Sequence, residues 1–127
     1  MADRFEMLAM EAMHHLLSGN SDILAILRAQ FDTALISSID YSGVGVYVSF
    51  KIAENAPKLS NGLSFEINDV AAHIDGIQNG VGFTLFIKDG VISMLEGYTF
   101  GEELWPKTID DFEVYYLNKG KRNLPFL

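Results

Sequence analysis

Residues 80–100 read GVGFTLFIKDGVISMLEGYTF. Two apolar runs, 81–88 and 91–100, flank Asp89-Gly90. A DG pair between such runs is among the strongest short-range signals for a β-hairpin. Glu96 is a lone carboxylate inside the second, otherwise apolar and aromatic run. The turn type sets its environment. With a two-residue type I′ loop at Asp89-Gly90, Ile87 faces Ile92, Leu85 faces Met94 and Phe83 faces Glu96. The acid then lies on the face of Val81, Phe83, Leu85 and Ile87, where a carboxylate costs several kcal/mol unless paired, or its pKa rises. With a three-residue loop and a Gly bulge, Glu96 joins Thr84 and Phe86 on the opposite face and is ordinary.

Downstream, GEELWP (101–106) ends the hairpin and FEVYYLN (112–118) reads as a last strand. The tail, KGKRNLPFL, is locally basic. Upstream, residues 63–74 form a strand with a phase problem. Phe65 and Ile67 share one face, whereas Val70, Ala72 and Ile74 share the other, so a bulge is expected near Asn68-Asp69. Val44, Val46, Val48, Phe50 and Ile52 alternate with Gly45, Tyr47, Ser49 and Lys51, the pattern of a strand with one buried face. A strand at 34–40 precedes it across a turn at Tyr41-Ser42-Gly43, and 54–62 (ENAPKLSNG) is a turn-rich surface loop.

The N-terminal third changes period. Phe5, Leu8, Ala9, Ala12 and Leu16 recur at helical spacing. Asp3 with Glu6 has capping-box spacing, and Gly19 suits the position after a helix end. A helix is expected over 4–18. Ser21 caps a second helix carrying Ile23, Leu24, Leu27 and Phe31 on one face. The short Gly19-Asn20 link makes the pair an αα-hairpin. The expected fold class is α+β. One domain, 1–127, packs an N-terminal helical hairpin on one antiparallel, meander-like sheet of five or six strands. Parallel pairing would need crossover helices that the order ααββββββ does not supply.

Composition narrows the function classes. The chain is 49% hydrophobic, with a net charge of −8 over 127 residues. Such a surface repels phosphate backbones and anionic lipid, so neither nucleic acid nor membrane is an expected partner. The absence of cysteine removes disulfides, thiolate catalysis and Cys-based zinc sites. The N-terminus lacks the basic start and unbroken apolar core of a signal peptide, and no apolar run reaches 18 residues. A cytoplasmic protein without cofactor or metal is expected.

Two site readings compete. Asp69 and His73, i and i+4 in a strand, could meet Glu96, and a His with two carboxylates serves acid–base work in a small-molecule binder or hydrolase. His14-His15 point about 100° apart on a helix and make no chelating pair. The other reading is a non-enzymatic binding module. Tyr98, Phe100 and Trp105 lie among Glu102, Glu103, Asp110 and Asp111, an acidic–aromatic surface suited to a basic protein partner or a homodimer. There is no G-x-S-x-G, P-loop or H-E-x-x-H motif. Gly43-Val44-Gly45 and Gly80-Val81-Gly82 introduce strands and read as tight turns or close strand contacts rather than nucleotide loops.

The segment GVGFTLFIKDGVISMLEGYTFGEELWP resembles a group of short bacterial proteins of unknown function. These carry a similar G-x-G-F-x-L-F-I-x-D-G…L-E-G-Y-T stretch followed by W-P. The resemblance covers the hairpin well and the helices loosely, and implies a stand-alone bacterial domain without a catalytic assignment. Some small acidic proteins of this kind act as toxin immunity proteins, an analogy of size and charge alone.

Overall fold

In the computed structural model, which describes residues 3–118, Arg122 and Leu124, two helices cover one face of a six-stranded sheet. The helices are α1 (Arg4–Leu16) and α2 (Asp22–Phe31). The strands are β1 (Leu35–Tyr41), β2 (Gly45–Lys51), β3 (Phe65–Ile74), β4 (Val81–Lys88), β5 (Val91–Thr99) and β6 (Phe112–Tyr116). Both helix starts are capped as their sequences require. The Asp3 carboxylate accepts the Glu6 N–H at 2.7 Å, and Ser21 Oγ accepts the Leu24 N–H at 3.0 Å. Neither helix is long and apolar enough to cross a membrane.

All pairings are antiparallel. The order β1-β2-β5-β4-β3-β6 departs from a simple meander. β3, β4 and β5 follow one another, but the loop after β2 carries the chain across to β3, so β5 returns to lie beside β2 in a Greek-key arrangement. β6 then forms the far edge beside β3.

The core lies between helices and sheet. α1 buries Leu8, Ala12, Met13 and Leu16, and α2 buries Leu24 and Leu27. Against them stand Val46 and Val48 of β2, Val70 and Ala72 of β3, Phe83 and Leu85 of β4, and Ile92 and Leu95 of β5. Each fully buried Leu or Phe contributes roughly 1.5–3 kcal/mol of transfer free energy.

Three bulges keep the buried face continuous. The β3 register shifts between Ile67 and Val70, at the expected place, so Ile67 and Val70 both face the core. A second shift lies in β1 between Ile36 and Ser38. The third lies in β5, where Ile87 pairs with Ile92 but Phe86 pairs with Met94, leaving Ser93 as the extra residue. This last bulge separates two things the sequence tied together. The turn is the two-residue loop, with Asp89 at φ 53° and Gly90 at φ 80° as a type I′ turn requires. Yet Glu96 faces Thr84 and not Phe83. Ile92 and Leu95 stand three apart, so both reach the core only if one residue between them bulges. That shift turns Glu96 to the face away from the helices.

α2 grips this hairpin. Gln30 is completely buried. Its Nε2 donates to the carbonyls of Pro57 (3.0 Å) and Gly90 (2.8 Å), and its Oε1 accepts the Ile92 N–H at 2.8 Å. The β2–β5 ladder stops at Ser49 and Met94, so Ile92 lies beyond its last pair and Gln30 supplies the missing acceptor.

Candidate functional site

The face of the sheet away from the helices has no second layer among the described residues. Its side chains follow from strand alternation and register. Across the middle run Asp40 (β1), Tyr47 (β2), Glu96 (β5) and Thr84 (β4), each paired with the next. One step along lie Ser49, Met94, Phe86 and Glu66. In the other direction come Gly45, Tyr98, Gly82, Ala71 and Tyr115. Tyr47, Phe86, Met94, Glu96, Tyr98 and Tyr115 are all half-exposed. Asp40, Glu66 and Glu113 are exposed, and Lys51 and Lys88 stand at the end nearest the β4–β5 turn.

Glu96 sits at the centre. The Tyr47 phenol is held above its usual pKa of 10.0 by hydrogen bonding to the Glu96 carboxylate, then by the negative charge of that carboxylate, with a smaller effect of burial. On β4, the Tyr98 ring lies across Gly82. A Cβ there would stand 2.7 Å from the ring, so only glycine leaves room for it. Tyr98 also meets Phe100 edge-on, with centroids 5.8 Å apart. The bulges of β3 and β5 and the turn end of β4 border an open groove of about 1040 Å³ whose lining includes Glu66, Phe86, Ser93 and Met94.

The three residues offered for acid–base chemistry do not converge. Asp69, in the β3 bulge, is bound bidentately by Arg122, with Nε to Oδ2 and Nη2 to Oδ1 both 2.7 Å. Arg122 also donates to the Leu16 and Ser18 carbonyls of the α1 end, which places this carboxylate on the helix side. His73 is exposed near the β6 edge, pairs with Glu113 and stacks on Tyr115 at 4.7 Å. Ala72 pairs with Val81, so His73 lies across from Gly80, four residues before Thr84. At about 3.3 Å per residue and 4.8 Å per strand, His73 stands roughly 15 Å from Glu96. Among the described residues no group of three or more acids and histidines is arranged to hold a metal ion.

The five binding candidates near the C-terminal strands divide. Tyr98 and Phe100 belong to the uncovered face. Glu102 is exposed in the short turn that follows, at φ 63°. Trp105 is a correction. It is 7% exposed, packs against Gly97 and meets Phe5 of α1 edge-on at 6.3 Å, so it is part of the core and not of a rim. Glu103 is partly exposed. Its carboxylate accepts the Gln78 and Asn79 N–H groups at 3.1 and 3.0 Å and is spent on tying the 75–80 loop to the 100–106 segment.

Sequence reading missed Tyr47, Phe86 and Met94 as site residues. Alternation in 44–52 already placed Tyr47 opposite the valines, but its neighbour Glu96 is decided by a pairing 49 residues apart, which no local signal carries. Comparison of the chain with protein-family models, with curated proteins and with solved structures finds no match.

Proposed function

We propose that this chain is a small binding module that receives a partner protein on the uncovered face of its sheet. The observation that carries the reading is the composition of that face: half-exposed Tyr47, Phe86, Met94, Tyr98 and Tyr115 interleaved with Asp40, Glu66, Glu96 and Glu113. Half-exposed aromatics amid polar groups are the material of protein interfaces. The separation of Glu96, His73 and Asp69 favours this reading over an acid–base site, whose groups work within hydrogen-bond reach of one another. The reading takes the chain as a cytoplasmic protein of the bacterial kind its hairpin resembles. The net charge of −8 opposes association with a second copy and favours a partner of opposite sign.

The test is affinity capture from the cells that make the protein, with the wild-type chain and with a Tyr47→Ser/Tyr98→Ser double variant. A protein retained by the first and lost by the second is the expected result. Identical capture by both overturns the reading, and a wild-type dimer broken by the double substitution would make the partner a second copy.

A further inference from the structure

We infer that the occupant of this face is a basic segment of the partner, anchored by an arginine that lies over Glu96 between Tyr47 and Tyr98. The inference rests on the sheet-face reading above and gives it a chemistry.

Glu96 projects from the middle of β5, whose two neighbours both continue past it. Its surroundings on the face are Tyr47 across the strand on one side, Thr84 on the other, and Met94 and Tyr98 two residues before and after it. None of these is a cation, and Glu96 takes part in no ion pair among the described residues. The carboxylate is therefore walled by two phenol rings and lacks a counter-charge. Directly opposite cross-strand neighbours stand about 5 Å apart and same-face neighbours along a strand roughly 7 Å, so one planar group over Glu96 touches both rings.

A guanidinium fits this arrangement better than an ammonium. It offers a bidentate fork to the carboxylate while its plane lies on an aromatic ring, and it sheds its weaker hydration more readily. A lysine ammonium makes only point contact. Asp40, beyond Tyr47, and Glu66 and Glu113 toward the other edge extend the negative field around the anchor. Lys51 and Lys88 lie apart from it at the turn end, which sets the sign gradient along which a basic segment would orient. The apolar surface of Phe86 and Met94 beside the anchor calls for more than a free cation. Flanking side chains of a polypeptide would cover it.

The experiment is an NMR titration of the full chain with pooled nonapeptides that share a fixed central residue, either arginine, lysine, citrulline or glutamate. The arginine pool should shift the amides of Tyr47, Glu96 and Tyr98. Replacing arginine by citrulline, its neutral isostere, should weaken binding roughly tenfold, and Glu96→Gln should weaken the arginine pool by a similar factor while the spectrum shows an intact fold. Equal binding of arginine and citrulline pools, or indifference to Glu96→Gln, overturns the arginine anchor. So does the absence of shifts on this face with every pool. Free arginine or spermidine producing the same shifts at the same affinity would overturn the polypeptide occupant. A native partner lost by the Tyr47→Ser/Tyr98→Ser variant but kept by Glu96→Gln would leave the sheet-face reading standing and the anchor refuted.

Discussion

The Gln30 side chain closes on Gly90, donating from Nε2 to its carbonyl at 2.8 Å, while Oε1 of the same amide takes the Ile92 N–H at 2.8 Å. One buried amide thereby joins α2, the 57–63 loop and the β4–β5 turn. The Gly90 carbonyl also accepts from the Leu59 N–H, so it keeps a partner when Gln30 is removed. The Ile92 N–H has no such reserve in the same network, whereas the Pro57 carbonyl lies on an exposed residue and can turn to water. Gln30→Leu should therefore cost about 1–3 kcal/mol, from the buried Ile92 N–H left unpaired. Urea denaturation reads the loss, and amide exchange at Ile92 should accelerate beyond the global change.

Asp69 and Arg122 hold the β3 bulge to the end of α1. Their side chains are 11% and 15% exposed, and Arg122 also lies over the Tyr116 ring at 4.8 Å. With Arg28 on the Leu17 and Gly19 carbonyls and Tyr116 on that of His15, every carbonyl from His15 to Gly19 receives a side-chain donor. Two guanidinium groups at a helix C-terminus also suit its dipole. Arg122→Ala should destabilise the protein by about 1–3 kcal/mol, because it leaves a largely buried carboxylate without its counter-charge. Asp69→Asn should cost less. A thermal melt with no difference between Arg122→Ala and wild type would refute the latch.

Gly82 and Tyr98 are coupled by space. Gly82→Ala places a methyl group 2.7 Å from the Tyr98 ring, so the ring must leave its place on the sheet. The substitution should cost about 1–3 kcal/mol. In a Tyr98→Ala background the same change should be nearly free, or favourable by the strand preference of alanine over glycine. A double-mutant cycle with a coupling below about 0.5 kcal/mol would contradict the packing.

The Tyr47–Glu96 contact is visible by titration. Because the folded state holds the Tyr47 proton more tightly than the unfolded chain, its contribution to stability is complete below the unfolded value of 10.0. It is lost as pH rises through the higher folded value. Titration of the folded protein should show Tyr47 ionising late and returning toward 10.0 in Glu96→Gln. The same variant should change stability by less than about 1 kcal/mol, since the acid stands half-exposed on the face away from the core. A large loss would mean that Glu96 is buried after all.

Much of the fold was legible in local patterns. The two helices, their caps at Asp3 and Ser21, the alternating β2, the Asp89-Gly90 turn and the β3 bulge are each written within a dozen residues, because capping, turn conformation and side-chain alternation are short-range effects. The strand order was not. Nothing local tells the chain leaving β2 to cross over and start β3 on the far side of β4. That choice follows from which apolar faces can be buried together under two helices.

The site was less legible, for the same reason. The sequence by itself determined that Glu96 lies in a strand of a tight hairpin, that Tyr47 points away from a buried valine row, and that the chain is acidic. Tertiary structure alone decided the face of Glu96. A single extra residue at Ser93, needed so that Ile92 and Leu95 both reach the core, rotated everything beyond it by one register step. Long-range packing also placed Trp105 in the core, Glu103 on backbone amides and Asp69 against an arginine 53 residues away. Register and long-range pairing depend on the summed burial of the whole sheet, so no stretch of sequence holds them, and the lone carboxylate of the hairpin becomes a half-exposed acid between two tyrosines only when the sheet is complete.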